Sequence, residues 1–138
     1  SYGGYAALQS SVRDPNLFKA IVAIAPVTDL DLIKQEARYY TNENLVVEEV
    51  GIGSHIIAGS PLQNVGSIKA PVLMFHGDMD MNVGVKQSVK MDAALKKAGK
   101  PSELVIYEGL THNLADSNAR AQMLDKIAAF LKAKTASD

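Results

Sequence analysis

Short apolar runs alternate along this chain with longer stretches of helical period, and that alternation limits the fold more than any single residue does. Lys19–Ala25 (KAIVAIA) is almost continuously apolar, as a strand covered on both faces requires. Pro71–Phe75 (PVLMF) and Ser102–Tyr107 (SELVIY) read as two further strands. Tyr2–Arg13 is an alanine-rich helix that closes at the turn Asp14-Pro15-Asn16. Val83–Lys97 carries Val85, Val89, Asp92/Ala93 and Leu95 near helical spacing and stops at Gly99. A last helix over Asp116–Lys132 lines Met123, Leu124, Ile127, Phe130 and Leu131 on one face. Strands separated by helices join through right-handed crossovers, so the expected class is α/β, with a parallel sheet of about three strands flanked by helices. Residues 28–67 are more polar, contain Gly51, Gly53 and Gly59, and read as a helical excursion between the first two strands.

Length and charge narrow the function classes. A chain of 138 residues suits one domain. A formal net charge of -1 offers no field for phosphate backbones or anionic lipid, so neither nucleic acid nor membrane is an expected partner. The absence of cysteine removes disulfides, thiol nucleophiles and cysteine-ligated zinc. The longest apolar run, Ala20–Val27, is interrupted by Pro26 and is far shorter than the roughly 18 residues of a membrane span. No basic stretch followed by an apolar one opens the sequence. The expectation is a soluble protein, its compartment open between cytoplasm and periplasm. A three-stranded sheet is small, however, and Ala20–Ala25 is left with an unpaired apolar edge. Such an edge calls for an upstream segment or for self-association through that strand.

Three clusters carry the chemistry. Ser1-Tyr2-Gly3-Gly4-Tyr5 stands at the start of a helix and matches the latter part of a G-x-S-x-G nucleophile elbow, in which small residues let backbones approach closely. The first glycine of that pattern is absent, and the five residues alone read more readily as a frayed terminus with a glycine-rich helix start. His76-Gly77-Asp78-Met79-Asp80-Met81-Asn82-Val83 follows the second strand, at the carboxyl end where functional groups gather in open parallel sheets. Position alone leaves Asp78 and Asp80 in competition, and a turn that caps the next helix is the plainer alternative. His112 lies in a polar loop after the third strand. Serine, aspartate and histidine after successive strands is the chain order of α/β-hydrolase triads.

Taken together these residues resemble the catalytic domain of the prolyl oligopeptidase family of serine peptidases. The matching patterns are S-Y-G-G-Y, H-G-x-x-D-x-x-V at His76–Val83 and Y-x-G-x-x-H at Tyr107–His112. Ala25-Pro26-Val27-Thr28-Asp29 after the first strand and Ser60-Pro61 before the second are also family-like. The resemblance covers nearly the whole chain and corresponds to the C-terminal portion of that catalytic domain, a partial α/β-hydrolase fold over residues 1–138. It implies Ser1 as nucleophile, Asp80 as the acid in the aspartate place of H-G-x-x-D, and His112 as general base, with Asp78 a turn residue. It implies the backbone N–H of Tyr2 as one oxyanion donor; the family's second donor lies upstream and is not in this chain. The implied activity is that of a serine hydrolase cleaving oligopeptides through an acyl-enzyme, with a peptide or small acyl substrate, no cofactor and no metal.

Substrate selection is less defined. Dipeptidyl-peptidase members carry a Y-T-E-R-Y stretch, and the corresponding Tyr40-Thr41-Asn42-Glu43-Asn44 keeps only its first tyrosine. Tyr39 and Tyr40 are therefore candidates for a substrate pocket, with packing the competing role. An esterase or dienelactone-hydrolase-like enzyme shares the fold and the triad order. An inactive fragment or subunit lacking the upstream half is a further alternative, whereas a serine that uses its own α-amine as base belongs to a different fold. His55 reads as a surface residue and His76 as a support for the acid loop, and the three histidines lack metal-ligand spacing. Lys96, Lys97 and Lys100 form a solvated helix end.

Overall fold

The computed structural model describes residues 1–39 and 42–136. Its elements are α1 (Tyr2–Arg13), β1 (Ile21–Ile24), α2 (Leu30–Ala37), α3 (Glu43–Val50), α4 (His55–Ala58), a 3₁₀ segment (Pro61–Ser67), β2 (Val72–Gly77), α5 (Lys86–Lys97), β3 (Ser102–Tyr107) and α6 (Ser117–Thr135). The three strands form one parallel sheet in the order β1-β2-β3, with Ile21 opposite Val72 and Val72 opposite Ser102. Every residue of β2 is buried, which is why its sequence shows no alternation.

The two faces of the sheet take different partners because successive side chains point in opposite directions. Ile21, Ala23, Val72 and Met74 pack with Leu8 of α1, Ile68, and Met91 and Leu95 of α5. On the other face Leu73, Phe75, Val22, Ile24 and Val105 meet Leu114 and the α6 residues Met123, Ile127 and Phe130. Phe75 is fully buried and stacks on Tyr107, with ring centroids 6.3 Å apart. Burying a side chain of that size contributes roughly 2–3 kcal/mol, so β2 is the element the fold can least spare.

Several boundaries differ from those read in the sequence, each for a local reason. β1 is shorter than Lys19–Ala25 because Ala25 takes a left-handed backbone, φ 46°, and leaves the ladder after one bond from its N–H to Phe75. β2 runs on through His76 and Gly77. The buried face of α5 is Gln87, Ser88, Met91 and Leu95, and Val89 is exposed. The two polar residues go inward because buried partners await them. On α6, Leu124 is 62% exposed, so only part of the apolar face reaches the sheet.

Among the described residues β1 pairs only with β2. Its outer edge receives a single bond, from the Ser1 nitrogen to the Ile24 carbonyl. No helix of the described residues is long and apolar enough to cross a membrane.

Helix α1 lies close over the end of β1, and glycine permits this at one position. A Cβ at Gly4 would come within 2.9 Å of the Pro26 Cβ and 3.3 Å of the Ala23 Cβ, whereas a Cβ at Gly3 meets nothing within 4 Å. The closeness expected at both glycines is therefore seen only at Gly4. Gly4→Ala should cost about 1–3 kcal/mol in a urea melt by overpacking. Gly3→Ala should be neutral or stabilise by up to about 1 kcal/mol through helix propensity; equal effects at the two sites would contradict this packing.

Candidate active site

Two loops at the carboxyl end of the sheet build the site. The first follows β2, and its geometry is set by Asp80. Asp80 Oδ1 accepts from the backbone N–H groups of Asn82 (2.8 Å) and Val83 (2.9 Å), a local turn that delays the start of α5 to Lys86. The second follows β3 and turns at Gly109, where φ is 73°. His112 projects back from it, and its Nδ1–H donates to Asp80 Oδ2 at 2.7 Å. The same carboxylate oxygen lies 3.3 Å from His76 Nε2, so Asp80 is 5% exposed yet fully partnered.

The loops are stitched to each other. Asp78 N–H donates to the Tyr107 carbonyl and Met79 N–H to the Leu110 carbonyl, both at 3.1 Å. Gly109 N–H donates to Asp78 Oδ1 at 2.7 Å. The two acids that sequence position left in competition are thus separated: Asp78 ties loop to loop, and Asp80 meets the histidine. Gly77 allows the overlap. A Cβ there would lie 2.7 Å from the Leu110 carbonyl carbon and 2.9 Å from the Thr111 oxygen.

Residues with no motif of their own hold this arrangement. Leu114 adopts φ 46°, uncommon for a branched side chain, while its side chain is 3% exposed in the core under α6. Arg120 donates from Nε to the Leu114 carbonyl (2.9 Å) and from Nη2 to that of Asn113 (2.7 Å), clamping the histidine loop from α6. Fully buried Gln87 accepts from the N–H groups of Thr28 and Asp29, and Gly84 N–H reaches Glu36 Oε2 at 3.2 Å. Nothing in the local sequence marks Arg120 or Gln87.

Ser1 is the N-cap of α1, exposed, and makes no capping bond with its side chain. The Ser1 nitrogen bonds the Ile24 carbonyl, which sets Ser1 at the carboxyl end of β1. The structure thus brings Asp80 and His112 into contact and places Ser1 near the same strand ends, with no hydrogen bond between the Ser1 hydroxyl and His112. Tyr2 opens α1, where the N–H groups have no intrahelical acceptor; its side chain is exposed. Beside Ser1 is a cavity of about 390 Å³ whose walls include Tyr2, Tyr5, Leu30, Ile33 and Val50 and also the acid Glu49.

Tyr39 does not line that cavity. It is 88% exposed and borders a separate one of about 490 Å³ with Ile33, Ala37, Val46 and Met81. Tyr40 lies outside the described residues. His55 is exposed and bonded through Nε2 to the Val50 carbonyl at 2.6 Å. Among the described residues no group of three or more histidine, aspartate or glutamate side chains is placed to hold a metal ion.

Residues 1–138 match the prolyl oligopeptidase family. The Bacillus subtilis protein YuxL, named as an uncharacterized peptidase, is 25% identical over 130 residues, covering 92% of this chain and 20% of its own length. The crystal structure of Porphyromonas gingivalis dipeptidyl peptidase 4 is 28% identical, with a TM-score of 0.78 over 96% of this chain and 18% of that one. A Mycobacterium tuberculosis puromycin-hydrolyzing peptidase superposes with a TM-score of 0.87 over 100% of this chain and 21% of its own, at 21% identity. The shared fold is that of α/β-hydrolase peptidases. The chain spans about a fifth of the length of the relatives it matches.

Burial pushes the Asp80 carboxyl up, but the hydrogen bonds from His76, Val83, His112 and Asn82 outweigh it and hold the group at about 2, against an ordinary 3.8. A carboxyl held low in the folded state stabilises at all pH above its unfolded value, and that contribution is lost as pH falls through the folded one. Stability should therefore drop by an amount on the order of 2 kcal/mol between about pH 4 and pH 2 on account of Asp80 alone. Urea melts of the parent and of Asp80→Asn across this range check it. The acid limb should flatten in the variant, and an unchanged limb would show that Asp80 is not held low.

Proposed function

The chain belongs to the prolyl oligopeptidase family, and from that premise we propose that it carries the nucleophile, base and acid of a serine peptidase as Ser1, His112 and Asp80. The observation that carries the proposal is the 2.7 Å bond between His112 Nδ1 and Asp80, formed at the carboxyl end of the sheet to which the Ser1–Ile24 bond also ties Ser1. With Nδ1–H committed to the carboxylate, His112 Nε2 is the free base. It takes the Ser1 hydroxyl proton as the oxygen attacks the scissile carbonyl, then returns it to the departing amine. Asp80 fixes the tautomer and stabilises the imidazolium without being protonated itself. The Tyr2 N–H, next to the nucleophile, donates to the oxyanion. Water repeats the sequence to release the acyl group.

The cavity beside Ser1 is chiefly apolar, which supports an apolar side chain on the residue whose carbonyl is attacked. An oligopeptide is the substrate this favours; a short acyl ester, the second candidate, would leave much of it unfilled. Tyr39, two residues past the end of α2, does not line this cavity and is assigned to more distant parts of the peptide. We also propose that the outer edge of β1, which among the described residues receives only the Ser1 nitrogen, pairs with an upstream portion of the parent protein. In the isolated chain that edge would pair with a second copy.

Intact mass after a fluorophosphonate probe tests the chemistry directly. One adduct mapped to Ser1 is expected, with the labelling rate reduced about 10³- to 10⁴-fold in Asp80→Asn, as when a triad carboxylate is removed. A folded chain that takes no probe would reject activity for this chain. Leu30→Trp, which fills the cavity, should depress cleavage of peptides with a large apolar residue at the scissile position while probe labelling persists. Equal loss of both would argue against that pocket.

A further inference from the structure

His76 is the one fully buried imidazole, and the steps above leave it unused. Its Nε2 lies 2.8 Å from the Val83 carbonyl and 3.3 Å from Asp80 Oδ2, and its Nδ1 lies 2.7 Å from Ser88 Oγ. Both neighbours of Nε2 only accept, so Nε2 carries a hydrogen. Ser88 is also fully buried, and among the described residues its hydroxyl has no other hydrogen-bond partner. A buried hydroxyl donates somewhere, and the available acceptor is Nδ1. The ring is therefore neutral, with its proton on Nε2.

We propose that Ser88 and His76 form a positioning relay that sets the Asp80 carboxylate for His112: Ser88 fixes the His76 tautomer, and His76 Nε2–H shares Oδ2 with the His112 Nδ1–H. Asp80 then has the Asn82 and Val83 N–H groups on one oxygen and, on the other, the His112 Nδ1–H at 2.7 Å with the His76 Nε2–H, divided between it and the Val83 carbonyl, at 3.3 Å. A carboxylate so surrounded has one orientation, and that orientation is the one that faces His112. If the tautomer were reversed, a bare Nε2 would face the Val83 carbonyl and a carboxylate oxygen, three acceptors with no hydrogen among them. The hydroxyl two helical residues into α5 thus decides whether the acid loop is held or repelled. The catalytic meaning of the relay rests on the Ser1–His112–Asp80 proposal; the tautomer does not.

Nitrogen-15 NMR of the histidine-labelled chain tests it. His76 should show a single neutral ring protonated on Nε2 near pH 7, and the His112 Nδ1 proton should resonate far downfield in its bond to Asp80. Ser88→Ala should shift that His112 proton and slow probe labelling roughly 10- to 100-fold, the range seen when the outer partner of a functional imidazole is lost. Ser88→Thr, which keeps the hydroxyl, should restore both. His76→Gln, whose Nε2 amide replaces the donor, should retain more labelling than His76→Asn, whose amide is too short to reach Asp80. A His76 ring protonated on Nδ1, or a folded Ser88→Ala with the His112 proton unmoved, would overturn the relay. If the parent chain takes no probe while the tautomer is as stated, the catalytic proposal fails and the relay remains as a structural device.

Discussion

The crossing of the histidine loop over Gly77 is the constraint on which the site depends. A parallel sheet delivers its strand ends to one side of the molecule, but neighbouring strands are separated by the width of a ladder bond, and their loops ordinarily diverge. Here the chain leaving β3 lies directly on the backbone leaving β2, close enough that a methyl group cannot intervene. Met79 and Asp78 donate across the junction. The short Asp80–His112 bond follows from that contact, since each side chain needs to extend only from a backbone already held beside the other.

Electrostatics at the junction then run in one direction. Four donors converge on Asp80, and a carboxylate so surrounded remains ionised despite being almost wholly removed from water. An ionised acid can orient an imidazole and balance its positive charge, whereas a neutral one can do neither well. Stability and chemistry therefore draw on the same bonds. The turn that satisfies Asp80 also fixes where α5 begins, and the first turn of α5 supplies both Ser88 to His76 and Gln87 to the loop after β1. Three loops are tied together around a single helix start.

The strand and helix order was legible in the sequence because burial of a parallel sheet writes itself as uninterrupted apolar runs, and β2 is the clearest case. The places of Asp80 and His112 in the patterns H-G-x-x-D and Y-x-G-x-x-H were equally legible, and the structure brings the two into contact. What was hidden is of two kinds. Polar residues turned inward, Gln87, Ser88 and His76, defeat any reading of helix faces from hydrophobicity, and this is why Val89 looked like a core position and is not. Contacts between distant segments, such as Gln87 on the N–H of Thr28, carry no local signature because neither partner is unusual for its own element. The excess apolar residues on α6 misled in the opposite sense, since Leu124 has nothing to cover it.

Helix α6 rests on the sheet through Met123, Ile127 and Phe130, a modest hold for an element of its length. It also grips the segment that presents His112, through Arg120 and through the burial of Leu114 beneath it. Native proteins open in cooperative pieces whose cost tracks the apolar contact each piece would lose. α6 together with the loop before it would give up less apolar contact than β2, whose every residue is buried, so the amide hydrogens of that segment exchange ahead of those in β2. Opening of that piece would leave the sheet intact and the His112 imidazole unheld, and how often it occurs is set by how firmly Met123, Ile127 and Phe130 of α6 hold the sheet.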